Sequence, residues 1–288
     1  MDIVVIFNGL GNQMSQYAFY LAKKECDRNC IFIFDDKGKN NHNGYELGKL
    51  FNINVQDDWK IRFAEKLFQL KKVRFVSRLL NIIKMRVISE DKNYIYRPEL
   101  VDKPRFGINF YWGGWPSEKH FKNIEEKVRR SFVFPEQTDE DFLKWKHEID
   151  RTLNAVSIHI RRGDYLKKTN DMYQFGGVAN MEYFKKAMDY INNHVYSPVY
   201  YIFSDDLAWC RENFLGEHYR FVDCNRGVNS WRDMYLMSLC RHHINSNSTF
   251  SWWGAWLSIF EDSITICPKE YIRGLNTPDV YPERWIKM

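Results

Sequence analysis

The sequence predicts an α/β fold with parallel sheets, organised as two Rossmann-like units. Three observations carry that prediction. Short apolar runs rich in Val, Ile, Phe and Tyr alternate with stretches of helical spacing along most of the chain, the pattern of strand–helix–strand crossovers. The opening stretch "VVIFNGLGNQMSQYAF" runs from a strand through two glycines into a helix. At 288 residues, 44% of them hydrophobic, the chain is long enough to bury two cores of ordinary size.

The first strand covers 2–7 and leads past Gly9 and Gly11 into a helix over 13–26, where Met14, Tyr17, Ala18 and Leu21 keep i, i+3, i+4, i+7 spacing. "IFIFDD" is a second strand that ends in Asp35 and Asp36. Strand, G-x-G turn, helix, strand and acid come close to a dinucleotide-binding fingerprint. The third fingerprint position is Met14, where Gly or Ala lets the helix approach the strand. No hydride-transfer set is visible, so an NAD-dependent oxidoreductase is the weaker reading. The stretch 37–46 is a polar loop, helices fill 59–86, and Ser117 caps a helix running to about residue 130. The polar stretch 134–154 reads as a domain connection. It divides the chain into 1–150 and 151–288.

The second half repeats the alternation. "AVSIHI" at 155–160 is a strand, 181–193 a helix, and "VYYIFSDD" at 199–206 a strand ending in acids. A short helix holds Trp209 and Cys210, "RFVD" at 220–223 is a strand, and 231–240 is helical. The stretch 243–260 is a strand, a polar turn and a helix, and "SITICP" closes the series.

Composition narrows the function classes. No run reaches the roughly 18 apolar residues that cross a bilayer. The acidic start, Met1-Asp2, and an apolar run that ends by Phe7 lead us to expect no signal peptide. The six cysteines include no CxxC pair, which argues for reduced thiols in the cytoplasm and against structural zinc. Aromatic residues make up 17% of the chain, which suits stacking on rings or sugars. The net charge is +5 but uneven, for residues 60–86 carry nine Lys and Arg against the single acid Glu65. Apolar residues interleave there, so the segment is either a core-packing helix with a basic face or a peripheral contact with an anionic membrane.

Chemistry-bearing residues cluster in the second half. "SIHIRRGDYL" delivers His159, Arg161, Arg162 and Asp164 to the end of a strand, where open α/β sheets bind ligands. Successive side chains point to opposite faces, so the two arginines do different work. One can fork onto a phosphate while the other pairs with Asp164 to hold the loop. In "NSNSTFSWW", small hydroxyl and amide side chains precede a helix that begins near Thr249 or Phe250. The unpaired N–H groups of its first turn form a phosphate seat. Ser204, Asp205 and Asp206 end another strand. No third ligand stands at readable spacing, so capping or ligand contact fits them better than a metal.

"GLGNQMSQYA", "YWGGWPSEKHF", "HIRRGDY", "FSDDLAWC" and "NSTFSWWGAWL", distributed from residue 6 to about 257 in the family's order, together resemble the bacterial α-1,2-fucosyltransferases of glycosyltransferase family 11. The resemblance implies a GT-B fold, two Rossmann-like domains facing a cleft, with 1–150 on the acceptor side and 151–288 binding the donor. It implies GDP-β-L-fucose as donor, a terminal β-galactoside or lipid-linked glycan as acceptor, inversion, and neither a metal nor a nucleic-acid partner. On this resemblance Arg161 contacts the β-phosphate and His159 lies near the nucleotide. His242 is a candidate for reading guanine, and Asn247, Ser248, Thr249 and Phe250 hold phosphate. Asp205 contacts the ligand, and Asn12 stands near the reacting centre beside Gln13. Asp164 orients an arginine or serves as base. The expected setting is the cytoplasm, on the inner face of the membrane where surface glycans are built.

Overall fold

The computed structural model describes residues 1–35, 43–71, 84–103, 105–163, 165 and 175–288. The candidate residue Asp164 lies outside them, as do parts of the loops 37–46 and 167–180 and most of the basic segment beyond Lys71. Two compact units, Met1–Pro135 and Glu136–Met288, make up the chain.

The first unit contains β1 (Asp2–Ile6), α1 (Leu10–Cys26), β2 (Ile31–Phe34), α2 (Glu46–Phe51), α3 (Trp59–Lys71), β3 (Met85–Ser89), α4 (Glu99–Asp102), β4 (Ile108–Trp112) and α5 (Glu125–Ser131). Its strands run parallel in the order β2-β1-β4-β3. The chain steps from β1 to β2 on one side and later fills the other side, so the order reverses between β1 and β4. Beneath the sheet, the carboxylate of Asp2 takes the Lys23 ammonium at 2.8 Å, both side chains being fully buried. Asn109 and Tyr111 donate to the same carboxylate at 2.9 and 3.0 Å, which satisfies a charge that would be costly to bury alone.

Two expected elements differ. The helix expected over 59–86 is described only as far as Lys71, and Met85 and Arg86 belong to β3. Val87 and Ile88 face Phe110 and Tyr111 in register, so pairing with β4 decides the conformation of a segment whose local pattern also suits a helix. Ser117 does accept a hydrogen bond from Lys119 N–H, but at a single 3-10 turn, Glu118–His120, and the helix proper starts at Glu125.

The second unit contains α6 (Glu140–Arg151), β5 (Ala155–Ile160), α7 (Met181–His194), β6 (Val199–Ser204), α8 (Leu207–Asn213), β7 (Tyr219–Phe221), α9 (Trp231–Leu239), β8 (His242–Ile244), α10 (Thr249–Trp256), β9 (Thr265–Cys267) and β10 (Ile286–Lys287). Its strands are parallel in the order β10-β9-β8-β5-β6-β7. The order reverses between β5 and β8. In open α/β sheets that reversal leaves a crevice at the carboxyl ends of the two strands, the usual place for a ligand.

The division between units falls after Pro135, earlier than the boundary expected at 150. The stretch read as a connection contains α6, capped by Asp139, whose carboxylate accepts from Phe142 N–H at 3.0 Å. Only Phe142 and Ile149 are buried on it. Phe142 stacks near Tyr235 of α9, with centroids 5.4 Å apart. A helix with so narrow an apolar stripe looks polar in composition. By contrast α10 is buried almost all round, through Trp252, Trp253 and Trp256. Its Gly254 packs closely on α9, since a Cβ there would lie 3.0 Å from Met237 Cβ.

Candidate active site

The reversal between β5 and β8 is where the second unit gathers its polar side chains. His159 is the penultimate residue of β5 and is buried. Its Nδ1 is hydrogen-bonded to Ser246 Oγ at 2.8 Å, and its ring lies 5.7 Å from that of Phe250. These contacts tie the end of β5 to the turn that opens α10. Burial, with the Arg161 charge beside it, pushes the imidazole pKa down to about 3. His159 is therefore a neutral, fixed group at any physiological pH.

Arg161 follows β5 and pairs with Asp205 at the end of β6, Nη1 to Oδ2 at 3.1 Å. The other oxygen of Asp205 accepts the backbone N–H groups of Arg162 and Gly163 at 2.9 and 3.1 Å. A Cβ on Gly163 would stand 3.0 Å from Asp205 Oδ2, so a side chain there would press on this carboxylate. Arg162 turns the other way, as alternation requires. Its Nε lies 3.0 Å from Asp206 Oδ2 and its guanidinium 3.8 Å from the Trp209 ring centroid. The arginine and a backbone N–H of α8 hold the Asp206 carboxyl below its usual range. Arg162 thus pairs with Asp206, and the expected partner Asp164 lies outside the described residues. Both acids at the end of β6 are engaged by arginines, and among the described residues no group of three His, Cys, Asp or Glu side chains is placed to hold a metal.

Across the crevice, Ser248 caps α10 by accepting from Phe250 N–H at 3.3 Å. Ser248, Thr249 and Phe250 all remain partly exposed, and the first turn of the helix presents N–H groups and a partial positive charge. Asn247 behaves differently from the expectation. It is buried, and its Nδ2 donates to the carbonyls of Phe175 and Tyr271 at 2.9 and 3.0 Å. It anchors two loops around the site and does not present its N–H groups to a ligand. His242 is a second correction. It opens β8 opposite Val156, at the amino end of the strand, and its Nδ1 accepts from Ile264 N–H at 3.0 Å. The crevice lies at the carboxyl end, so His242 is not placed to read a base there.

The first unit has its own reversal, between β1 and β4. The turn after β1 puts Asn8, not a glycine, in the left-handed region, at φ 65°. Gly9 caps α1 with an ordinary φ of −77°. Gln13 is buried and fully used, with Nε2 donating to Asn8 and Gly44 carbonyls and Oε1 accepting from Glu46 N–H. It staples the turn to the following loop and offers no amide outward. Gln16 likewise joins Phe7 N–H to the Gly113 carbonyl. Asn12 is the partly exposed amide of the turn, and its Oδ1 would lie 3.9 Å from a Cβ placed on Gly114.

Sequence reasoning missed three groups. Glu90 follows β3 and accepts from Gly114 and Trp115 N–H at 2.7 and 3.0 Å. Burial lifts its pKa to about 8 despite those bonds. Asp233, in the first turn of α9, accepts from Asn225 Nδ2 at 2.8 Å and is raised to about 7, again by burial. The buried amide Nδ2 of Asn245, just past β8, has no hydrogen-bond partner among the described residues. An acid directly after a strand is the signal that marks Asp205, and it marks Glu90 equally.

Two Rossmann-like units, each with a parallel sheet, the second with an arginine and a helix N-terminus at its strand-order reversal, define a GT-B type glycosyltransferase. The model of glycosyl transferase family 11 matches residues 3–288, and the chain belongs to that family. Among its relatives, an alpha-1,2-colitosyltransferase of Escherichia coli is 32% identical over 100% of this chain and 99% of its own length. The O-antigen biosynthesis glycosyltransferase WbnK of Escherichia coli is 30% identical over 97% and 98%. Galactoside alpha-(1,2)-fucosyltransferase 1 of Mico humeralifer is 26% identical over 60% of this chain and 51% of its own. The fold is similar to that of fucosyltransferase NodZ from Bradyrhizobium, at 12% identity and a TM-score of 0.52 over 91% of this chain and 96% of that one. It is also similar to a mutant of Arabidopsis thaliana FUT1 in complex with GDP, at 10% identity and 0.51 over 98% and 74%. Among the described residues no helix is long and apolar enough to cross a membrane.

Proposed function

We propose that the chain transfers L-fucose from GDP-β-L-fucose to the 2-hydroxyl of a terminal β-galactose, with inversion, in bacterial surface glycan synthesis. The observation that carries this reading is Arg161, which follows β5 at the reversal and is held by Asp205, together with the first turn of α10, which His159 ties to the same strand end. The bond from fucose C1 to the phosphate oxygen breaks, and its electron pair stays on the β-phosphate of the departing GDP. The Arg161 guanidinium, the Thr249 N–H and the positive end of α10 face the charge that builds there. Preorganised donors of this kind are the largest single source of rate in such reactions. The galactose oxygen bonds to C1 from the opposite face, turning a β donor into an α product, and its proton leaves to a base or to water. On this reading the first unit serves the acceptor, with Asn12 at the reacting centre, and the second holds the nucleotide.

Metal-independent transfer is part of the proposal. It is supported by the engagement of Asp205 and Asp206 with arginines. A second reading concerns the donor, because the colitosyltransferase relative spans the whole chain. Colitose is fucose without its 3-hydroxyl, and an apolar pocket discriminates weakly between two such sugars whereas a polar one discriminates strongly. Both GDP-sugars, offered separately with a β-galactoside in excess EDTA, test the two readings. Turnover of GDP-fucose without added metal is expected. Turnover of GDP-colitose alone would move the assignment to the second reading.

A further inference from the structure

The outward side of α3 carries an apolar stripe that the core does not explain. Ile61, Ala64, Leu67 and Phe68 pack with Ile3, Val5, Ile33 and Phe110 and account for the inward face. Trp59, Phe63 and Leu70 are 70%, 46% and 45% exposed. At about 100° per residue these three fall within roughly 40° of one another around the helix axis, on the side away from Ile61 and Phe68. Lys60, Arg62 and Lys66 are exposed beside them. Among the described residues, the acids near this side are Asp57, 3.3 Å from Arg62 Nε in an exposed pair, Asp58, whose carboxylate accepts from Ile61 N–H at 3.0 Å, and Glu65, on the flank toward the core. Gln69 on the same flank donates to Asp35.

Single exposed apolar side chains are ordinary on a soluble surface, but a Trp, a Phe and a Leu in one line with cations beside them form a patch that wants a partner. Charge selects that partner. A second copy would bring a matching set of cations against the first, whereas an anionic lipid surface neutralises them. Indole and phenyl rings prefer the headgroup boundary of a bilayer. We propose that this face of α3 docks the protein on an anionic phospholipid bilayer. Trp59, Phe63 and Leu70 enter the headgroup boundary, and Lys60, Arg62 and Lys66 meet lipid phosphates. The inference stands on the first unit alone and does not depend on the sugar nucleotide.

The test is co-sedimentation of the full chain, at low salt, with vesicles of phosphatidylethanolamine and phosphatidylglycerol and with vesicles of phosphatidylcholine. Binding to the anionic vesicles is expected to exceed binding to phosphatidylcholine by about tenfold or more, and to weaken as salt rises. Two variants, one combining Trp59→Ser with Phe63→Ser and one combining Lys60→Glu, Arg62→Glu and Lys66→Glu, should each lose about tenfold or more of that binding. Leu215→Ser with Ile259→Ser, exposed apolar positions elsewhere, should lose none. Melting curves confirm folding, and the charge-reversed variant keeps the test alive should the apolar one not fold. Equal binding to both vesicle types, or unchanged binding by the charge-reversed variant, overturns the proposal. So does a dimer in sedimentation that Trp59→Ser splits while no vesicle is bound, which would assign the stripe to a second copy.

Discussion

On the proposed reading, the Arg161–Asp205 pair is the smallest unit on which the chemistry rests. If that reading holds, truncating Arg161 removes the fixed cation facing the departing phosphate. Arg161→Ala is expected to lower kcat/KM by about 10²–10³ while the melting temperature stays near the parent's. Arg161→Lys keeps the charge but loses the planar fork and should recover part of the loss. Asp205 acts through Arg161 and through the backbone of Arg162 and Gly163. Asp205→Ala should reduce kcat by about 10–100-fold through mispositioning, with steady-state kinetics at saturating donor as the readout. These residues were legible because an arginine pair and an acid pair at strand ends are hard to explain otherwise. His242 and Asn247 misled because a motif gives a residue's neighbours but neither the end of the strand it occupies nor the partners its side chain has already taken.

At the scale of elements, strands and helices were readable wherever one period dominated, as in β5, β6 and α7. The sequence did not reveal α6, whose apolar stripe is two buried residues wide, or β3, whose identity depends on pairing with β4 far along the chain. The packing of α9 on α10 sets the position of the turn proposed to face the phosphate. Gly254 lets the helices approach, so Gly254→Val should cost about 1–3 kcal/mol by overpacking. Chemical denaturation, read through the buried tryptophans of α10, would check it.

For the molecule as a whole, buried titratable groups set an expected pH profile. Glu90 is raised from its usual 4.5 to about 8 in the folded chain, so folding favours its protonated form. Its contribution to stability is full below about pH 4.5 and is lost as pH rises toward 8. Asp233, raised to about 7, acts in the same direction. His159 and His243, both lowered to about 3 from 6.5, act oppositely, adding stability as pH rises from about 3 to 6.5. Above pH 6.5 the carboxyl groups are therefore uncompensated. The parent's melting temperature should fall between about pH 6.5 and 8, and that of Glu90→Gln, which carries no titrating proton, should fall less. A parallel decline in both proteins would contradict the Glu90 assignment. Metal removal is a further whole-molecule test, and turnover in excess EDTA should equal turnover with added Mn²⁺ or Mg²⁺.

The reaction itself is tested most directly by its product. The chain would be incubated with GDP-β-L-fucose and a terminal β-galactoside in EDTA, and the isolated oligosaccharide examined by NMR for anomeric configuration and linkage. The account predicts a single α-fucosyl residue on galactose O2. A β-linked product, attachment at another galactose hydroxyl, or no transfer of fucose by the folded protein would contradict it.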